Sequence, residues 1–276
     1  PRVQTTKKFK LRIVCYQTLT GSERFITPEL KELESQMLSA GEQLTALEYQ
    51  LFCKVRDKVA MQAHRIQRTA RAIARQAASL GGRAYYVGGF VRDRLLGIDT
   101  KDVDIEIHGV PAPALEALLD RLGARTQMGA SFGIYGLRHY DIDIALPRKE
   151  HLSGRGHRDF AVFTDPFLGP EKAAMRRDFT VNALMEDVLT GEILDFFQGR
   201  EDLEKGILRH VSSQSFPEDP LRVLRGAQFA ARFGFSVAPE TVALCKTMDL
   251  AALSGERVMA ELEKALLKAP RPSVFF

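Results

Sequence analysis

The sequence predicts an α/β domain that follows a long helical segment and precedes an all-α segment. Short β-rich runs alternate with helical stretches between about residues 79 and 212, as in a sheet covered by helices. Before this unit the apolar residues recur at helical spacing, and from Pro217 onward the pattern is helical again. We therefore divide the chain into residues 1–78, 79–212 and 213–276.

The first segment is dominated by one long predicted helix. Its apolar residues are three or four positions apart and so share one face, and Gly81-Gly82 ends the pattern. The arginines between them indicate a solvated face, with contact to nucleic acid as the alternative. The stripe consists of Leu44, Leu47, Leu51, Val55, Val59, Ala63, Ile66, Ala70, Ile73 and Ala77.

Composition limits the kind of protein. The 276 residues are 45% hydrophobic with a formal net charge of +4, which suits one sizeable core or two smaller ones and is compatible with a polyanionic partner. The three cysteines are far apart and lack metal-ligand spacing, which fits a reducing compartment, so we expect a cytoplasmic protein. No apolar run approaches the ~18 residues of a membrane span, so no membrane association is expected.

Four strands and one helix are predicted within the α/β unit. Each strand is a short run rich in β-branched and aromatic residues. The strands are residues 84–87, 103–107, 134–137 and 140–145, and the helix is residues 111–122.

The first candidate motif is the turn after the first strand, Gly88-Gly89-Phe90-Val91-Arg92-Asp93. Glycines let backbone N–H groups approach a phosphate, and a helix N-terminus favours negative charge. Arg92, in the first helical turn, is a candidate partner for a triphosphate. A Gly-Gly pair alone is more often a plain turn.

The second motif is an acidic strand, Asp102-Val103-Asp104-Ile105-Glu106-Ile107. Alternate residues of a strand share a face, so the three acids point one way and the apolar residues point into the core. Carboxylates this close repel unless a cation lies between them, and Mg²⁺ takes one or two carboxylates plus substrate phosphates. The alternative is an exposed acidic strand face.

A second acidic strand carries Asp141 and Asp143 on one face. If this strand neighbours the first, a carboxylate triad forms. Such a triad suits two metal ions ~3.5–4 Å apart, the arrangement of in-line phosphoryl transfer.

The third motif is Arg176-Arg177-Asp178-Phe179-Thr180-Val181-Asn182-Ala183. The paired arginines are candidates for phosphate binding. Asp178 and Asn182 are four apart, on one face of a predicted helix, where they would bind a ribose or brace the site. A helix cap with an ion pair is the alternative.

The fourth motif is Glu218-Asp219-Pro220-Leu221-Arg222-Val223-Leu224-Arg225. Asp219 is predicted to cap a helix, and Arg222 lies three residues on, on the same face. A local salt bridge is one interpretation. The other is a protein template for a base, because a carboxylate accepts from the exocyclic amine of cytosine or adenine and a guanidinium donates to the ring nitrogen, whereas guanine and uracil present the opposite groups.

Together these motifs resemble the DNA polymerase beta nucleotidyltransferase superfamily, in its class II tRNA nucleotidyltransferase branch of CCA-adding enzymes and poly(A) polymerases. Order and spacing match, and the similarity runs from about residue 80 to residue 272. The resemblance implies an α/β head with a mixed sheet and a helical neck. It also implies that residues 148–160 form the mobile loop of the family.

The resemblance further implies roles for individual residues. Asp102 and Asp104 would be ligands of Mg²⁺, and Asp143 would be the third catalytic carboxylate. Asp219 and Arg222 would select the base. The remaining nucleotide-binding residues would be Gly88, Gly89, Arg92, Asp93, Arg177, Asp178, Asn182 and Arg225.

The activity that the resemblance implies is template-independent addition of C and A nucleotides, from CTP and ATP, to the 3′ end of tRNA by two-metal in-line attack on the α-phosphate. A bacterial poly(A) polymerase is the nearest alternative, and enzymes that add only CC or only A are further ones. The sequence stops soon after the neck begins, so we expect nucleotide binding with weak productive tRNA binding.

Residues 7–72 resemble a different family, the lever and clamp region of MutS-type mismatch-repair ATPases. The runs that carry this resemblance are residues 16–19, 23–34 and 46–52, and no GxxxxGK[ST] motif accompanies them. A junction of two unrelated pieces near residues 65–78 is implied. The alternative function of another class is therefore a non-catalytic mismatch-repair fragment.

Overall fold

The computed structural model describes residues 64–98, 100, 102–123, 125–127, 133–137, 142–152, 160–251 and 253–275. Most of the predicted N-terminal helix, and of the segment predicted to resemble mismatch-repair proteins, lies outside the described residues. Residues 64–79 are helical and are called α1. The end of the predicted stripe, Ile66, Ala70, Ile73 and Ala77, is buried, which confirms this part of the helix prediction.

The elements after α1 first alternate between strand and helix and then become mainly helical, as predicted. The strands are β1 (Arg83–Val87), β2 (Val103–His108), β3 (Arg125–Gln127), β4 (Ile134–Leu137), β5 (Ile142–Ala145), β6 (Arg148–Leu152), β7 (Phe160–Thr164), β8 (Met185–Asp187), β9 (Ile193–Leu194), β10 (Ile207–Leu208) and β11 (Ser236–Val237). The helices are α2 (Gly89–Leu95), α3 (Ala112–Leu122), α4 (Pro170–Met175), α5 (Gly199–Lys205), α6 (Leu221–Phe233), α7 (Pro239–Cys245) and α8 (Gly255–Lys268), with 3-10 helices at Thr180–Asn182, Phe216–Glu218 and Pro272–Phe275.

The central feature is a mixed sheet with the strand order β3-β4-β5-β2-β1-β8-β9. Strands β2 and β5 run parallel, and every other neighbouring pair in this order is antiparallel. The two acidic strands are therefore neighbours, with Asp104 directly opposite Asp143. The predicted carboxylate triad required the two acidic strands to be neighbours, and this requirement is met for Asp104 and Asp143.

The two faces of the sheet bury different side chains, because strand residues alternate between faces. Ala84 and Tyr86 of β1 and Ile105 of β2 belong to the main core, together with residues of α1 and α3. Tyr85 and Val87 belong to a smaller apolar cluster that includes Ala174 of α4 and Met185 of β8. Asp104, Glu106 and His108 lie on the same face as Tyr85, since Tyr85 pairs with Glu106 across β1 and β2.

Two small sheets depart from the sequence prediction. Residues 148–160 were predicted as a mobile loop, but β6 and β7 form an antiparallel pair at its two ends, so that prediction was wrong for both ends, and residues 153–159 lie outside the described residues. Strand β10 pairs in parallel with β11, so a strand of the predicted neck completes a sheet begun in the predicted head. Among the described helices, none is long and apolar enough to cross a membrane.

Candidate active site

The turn between β1 and α2 requires glycine at position 88. Gly88 has a φ of 67°, in the left-handed region. A Cβ atom there would lie 2.8 Å from Nη1 of Arg177 and 3.8 Å from Oδ2 of Asp104. The missing side chain therefore lets a guanidinium and a carboxylate approach the turn that the sequence identified as a phosphate-binding candidate.

Three predicted carboxylates come together beside this turn. Asp104 is partly buried on β2, whereas Asp102 and Asp143 are exposed. Burial raises the pKa of Asp104 to about 6, with Arg177 opposing this shift and the charges of Asp143 and Asp102 adding to it. Asp102 and Asp143 are thus both close enough to repel Asp104, while Asp141 lies outside the described residues.

These acids fit a divalent cation by the chemistry of their oxygen atoms. Burial is the main cause of the raised pKa of Asp104, and a cation beside Asp104 would also offset the repulsion that Asp143 and Asp102 add. In the part of the chain that the structure describes, no group of three or more such side chains is arranged to hold a metal ion unaided. Mg²⁺ usually completes its six ligands with water and substrate phosphates, so the geometry suits an ion that arrives with a nucleotide.

We expect the Asp104 carboxyl to titrate near pH 6. Because the folded protein binds this proton more tightly than the unfolded chain, the free energy of unfolding should fall as pH rises from about 4 to about 6. Asp143→Asn should lower the pKa of Asp104, since it removes a like charge. Carbon-13 NMR titration measures both values, with Glu201→Gln, which changes an exposed ion pair, as the control. A pKa near 4 for Asp104 in the unaltered chain would contradict this account.

Glu106 is a buried acid that holds the neighbouring cations and was not predicted as a site residue. His108 Nε2 lies 2.9 Å from its Oε1, and Arg176 Nη2 donates to its Oε2 at 3.2 Å. Arg177 Nη2 lies 3.9 Å from the same Oε2 atom. Burial opposes ionisation, yet the hydrogen bond from His108 and the two arginines outweigh it and lower the pKa of Glu106 to about 2. Glu106 therefore stays charged and holds Arg176 and Arg177, of which Arg177 acts on Asp104.

A buried network joins the first and third motifs. Arg92 is 3% exposed; its Nη1 donates to Oδ1 of Asn182 at 2.5 Å and its Nε donates to Oδ1 of Asp93 at 2.8 Å. The Arg92 guanidinium also lies 4.5 Å from the centre of the Phe233 ring. Nucleotide binding by Arg92 and Asp93 stays a prediction, and these contacts show how both side chains are held.

In the third motif, the predicted proximity of Asp178 and Asn182 is confirmed, whereas the predicted helix is wrong. Asn182 Nδ2 donates to Oδ1 of Asp178 at 2.9 Å, as its spacing indicated. However, Phe179 forms an isolated bridge with His210, and only Thr180–Asn182 is helical, as a 3-10 turn. The segment pairs its backbone with the chain near residue 210 instead of continuing as an α-helix.

The fourth motif begins α6 and ties it to the third. Asp219 Oδ1 accepts from the Leu221 backbone N–H at 3.1 Å, but the helix begins at Leu221 and its N-cap is Pro220, so the predicted cap at Asp219 was wrong by one residue. Arg222 donates to the carbonyls of Ser215 and Arg176, at 2.6 and 2.7 Å. Arg225 Nε donates to Oδ2 of Asp178 at 2.8 Å.

Two residues of α8 approach the fourth motif and had no signal in the sequence. Arg257 Nη2 donates to both carboxylate oxygens of Asp219, at 3.0 and 2.9 Å. Glu261 is buried and lies 3.9 Å from Nη1 of Arg225. The predicted base-selecting pair is therefore held from two sides by the head and by α8.

The chain is similar to known proteins over most of the described region. Residues 84–209 match the family described as Poly A polymerase head domain. The CCA-adding enzyme of Pseudomonas putida is 44% identical over 199 residues, which cover 70% of this chain and 52% of the relative. The chain spans about half the length of the curated relatives it matches.

Solved structures show the same architecture. The Thermotoga maritima CCA-adding enzyme complexed with tRNA has 30% sequence identity and a TM-score of 0.62, covering 75% of this chain and 48% of that one. The Bacillus stearothermophilus CCA-adding enzyme in complex with CTP has 31% identity and a TM-score of 0.63, covering 74% and 49%. Residues 84–209 therefore match a poly(A) polymerase head domain, and the fold is that of the nucleotidyltransferase head in the solved CCA-adding enzymes.

Proposed function

We propose that this chain transfers C and A nucleotides from CTP and ATP to the 3′ end of tRNA. The observation that carries the proposal is the pairing of Asp104 with Asp143 beside the Gly88 turn and Arg177. The Pseudomonas, Thermotoga and Bacillus proteins are named as CCA-adding enzymes, which supports this substrate choice over other nucleotidyl transfers.

The residues divide the work of nucleotide transfer in this proposal. Asp102 and Asp104 would hold Mg²⁺, with Asp143 as the third carboxylate beside them, and the ion would neutralise the triphosphate and favour ionisation of the 3′ hydroxyl. Arg177 and the backbone of Gly88 and Gly89 bind the triphosphate. The hydroxyl then attacks the α-phosphate in line, and pyrophosphate leaves.

Base choice is assigned to the fourth motif. Asp219 accepts a hydrogen bond from the exocyclic amine of cytosine or adenine, and Arg222 donates to the ring nitrogen. Uracil and guanine offer donors and acceptors in the opposite places, so each would leave a polar group unpaired. Asp178, Asn182, Arg92, Asp93 and Arg225 keep these groups in place or contact the nucleotide.

The test is incorporation into a tRNA that lacks its terminal CCA, with Mg²⁺ and each nucleotide supplied singly, then CTP with ATP. We expect addition of C, C and A, and no addition from GTP or UTP. Asp102→Ala should abolish the reaction. If the chain binds CTP but transfers nothing, the proposal fails for this chain, and transfer requires the part of the relatives that this chain does not match. If the chain neither binds CTP nor transfers it, the nucleotidyltransferase proposal itself fails.

Poly(A) synthesis is the second candidate, because the matching family is described as a Poly A polymerase head domain. The same experiment separates the two activities. Long runs of A from ATP alone, with CTP ignored, would favour poly(A) synthesis. Addition of only CC, or of only a single A, would indicate an enzyme that adds one part of the CCA end.

A further inference from the structure

Arg257 is the cation that neutralises Asp219. Its Nη2 lies almost equally far from both carboxylate oxygens, at 3.0 Å from Oδ1 and 2.9 Å from Oδ2. The side chains are 42% and 34% exposed, so the pair lies at the surface, where a nucleotide has access. The contact spans 38 positions of the chain and links the start of α6 to the start of α8.

The position of Arg257 within α8 indicates that this contact has a purpose beyond helix formation. Ser254 caps the helix by accepting from the Arg257 backbone N–H at 3.4 Å, which places Arg257 in the first turn. A cation in the first turn is disfavoured by the helix dipole. Helix preference therefore does not explain an arginine here, whereas its hydrogen bonds to Asp219 do.

The contact also explains why Asp219 and Arg222 do not pair with each other. Residues three apart at the start of a helix readily form an ion pair. In the described part of the chain no bond joins the two side chains: Asp219 is bound by Arg257 and the Leu221 N–H, and Arg222 is bound by the carbonyls of Ser215 and Arg176.

The arrangement leaves one carboxylate oxygen with spare capacity. Oδ1 accepts from Leu221 and from Arg257, whereas Oδ2 accepts only from Arg257 among the described residues. A carboxylate oxygen has two acceptor positions, so Oδ2 is able to accept one further hydrogen bond while Arg257 stays in place. This is the bond that the exocyclic amine of cytosine or adenine would supply.

We propose that Arg257 is a positioning residue for base selection: it keeps the Asp219 carboxylate apart from Arg222, so that Asp219 Oδ2 stays available to the base. The inference rests on the proposed function, because it concerns the same base-reading pair. Without Arg257, Asp219 has Arg222 as an alternative cation three residues away. An Asp219–Arg222 ion pair would occupy the groups that distinguish cytosine from uracil.

The test compares binding of CTP and UTP, each with Mg²⁺, to the unaltered chain, Arg257→Ala, Arg257→Lys and Lys205→Ala. Lys205→Ala is the matched control, since it also removes the cation of an exposed ion pair. We expect the unaltered chain to prefer CTP by about 10- to 100-fold, the value of one or two hydrogen bonds to a charged group. Arg257→Ala should reduce this preference at least about fivefold, chiefly through weaker CTP binding. Arg257→Lys should restore part of it, and Lys205→Ala should leave it unchanged.

The melting temperature of each variant separates positioning from a purely structural role. A lower melting temperature for Arg257→Ala with an unchanged CTP preference would overturn the inference, because Arg257 would then only fasten α8 to α6. If Arg257→Ala does not fold, Arg257→Lys decides: a reduced CTP preference in this folded variant supports the proposed role, whereas full loss or full retention of the preference would contradict it. A lack of any CTP preference in the unaltered chain would instead reject the proposed function.

Discussion

Asp104→Asn is expected to slow nucleotide transfer by about 10³-fold or more, because it removes a charged oxygen ligand where phosphate charge has to be neutralised. The substitution should not destabilise the fold. Burial and the charges of Asp143 and Asp102 raise the pKa of Asp104 to about 6, so at pH 8 the folded protein holds an unfavourable carboxylate. A neutral amide of the same shape removes that cost, and the melting temperature at pH 8 should stay equal or rise.

Loss of activity together with unchanged or higher stability is the signature of a functional carboxylate. Transfer assays and thermal unfolding on the same preparation measure both quantities. Glu201→Gln, in an exposed ion pair of α5, is the matched control and should change neither. A fall in melting temperature that accounts for the lost activity would show that Asp104 has a structural role instead.

Asp178→Ala is expected to lower the free energy of unfolding by about 2 to 4 kcal/mol, somewhat less than the roughly 3 to 5 kcal/mol for removing one partner of a fully buried ion pair. Asp178 accepts from the Phe179 N–H at 2.7 Å, from Asn182 at 2.9 Å and from Arg225 at 2.8 Å. Its loss leaves the Arg225 guanidinium and the Asn182 amide without their acceptor. Arg225 is 32% exposed, so water offsets part of the cost.

Denaturant unfolding of Asp178→Ala, Asp178→Asn and Glu201→Ala provides the measurement. Asp178→Asn should lose less than Asp178→Ala, because its carbonyl still accepts. Glu201→Ala should change the free energy of unfolding by less than about 1 kcal/mol, as expected of a surface ion pair. Equal, small effects for all three variants would show that the network does not stabilise the link between α6 and the third motif.

The sequence predicted the acidic centre well because strand alternation is a local property. It placed Asp102, Asp104 and Asp143 on strand faces, and the register of β2 with β5 brought Asp104 opposite Asp143. It did not predict the role of Glu106, although alternation placed this acid on the same face. Whether such an acid is exposed or buried against Arg176 depends on α4 and the chain that follows it, about 70 positions away.

The errors have similar physical causes. Asp178 and Asn182 are four positions apart, which favoured an α-helix. A backbone bridge between Phe179 and His210 instead leaves only a 3-10 turn at Thr180–Asn182. The Asp219–Arg222 spacing suggested a local pair, whereas the partner of Asp219 is Arg257, which lies 38 positions later. Neither long-range contact leaves a local pattern, so sequence spacing alone did not reveal them.

The central claim is that the acids of β2 and β5 and the Gly88–Arg177 turn form one site for a nucleotide with its metal ion. Calorimetric titration of the unaltered chain with CTP, in Mg²⁺ and then in a chelator, tests this claim most directly. We expect CTP to bind with Mg²⁺ and to bind at least about tenfold more weakly without it. CTP affinity that is the same in Mg²⁺ and in the chelator, or no CTP binding under either condition, would contradict the account.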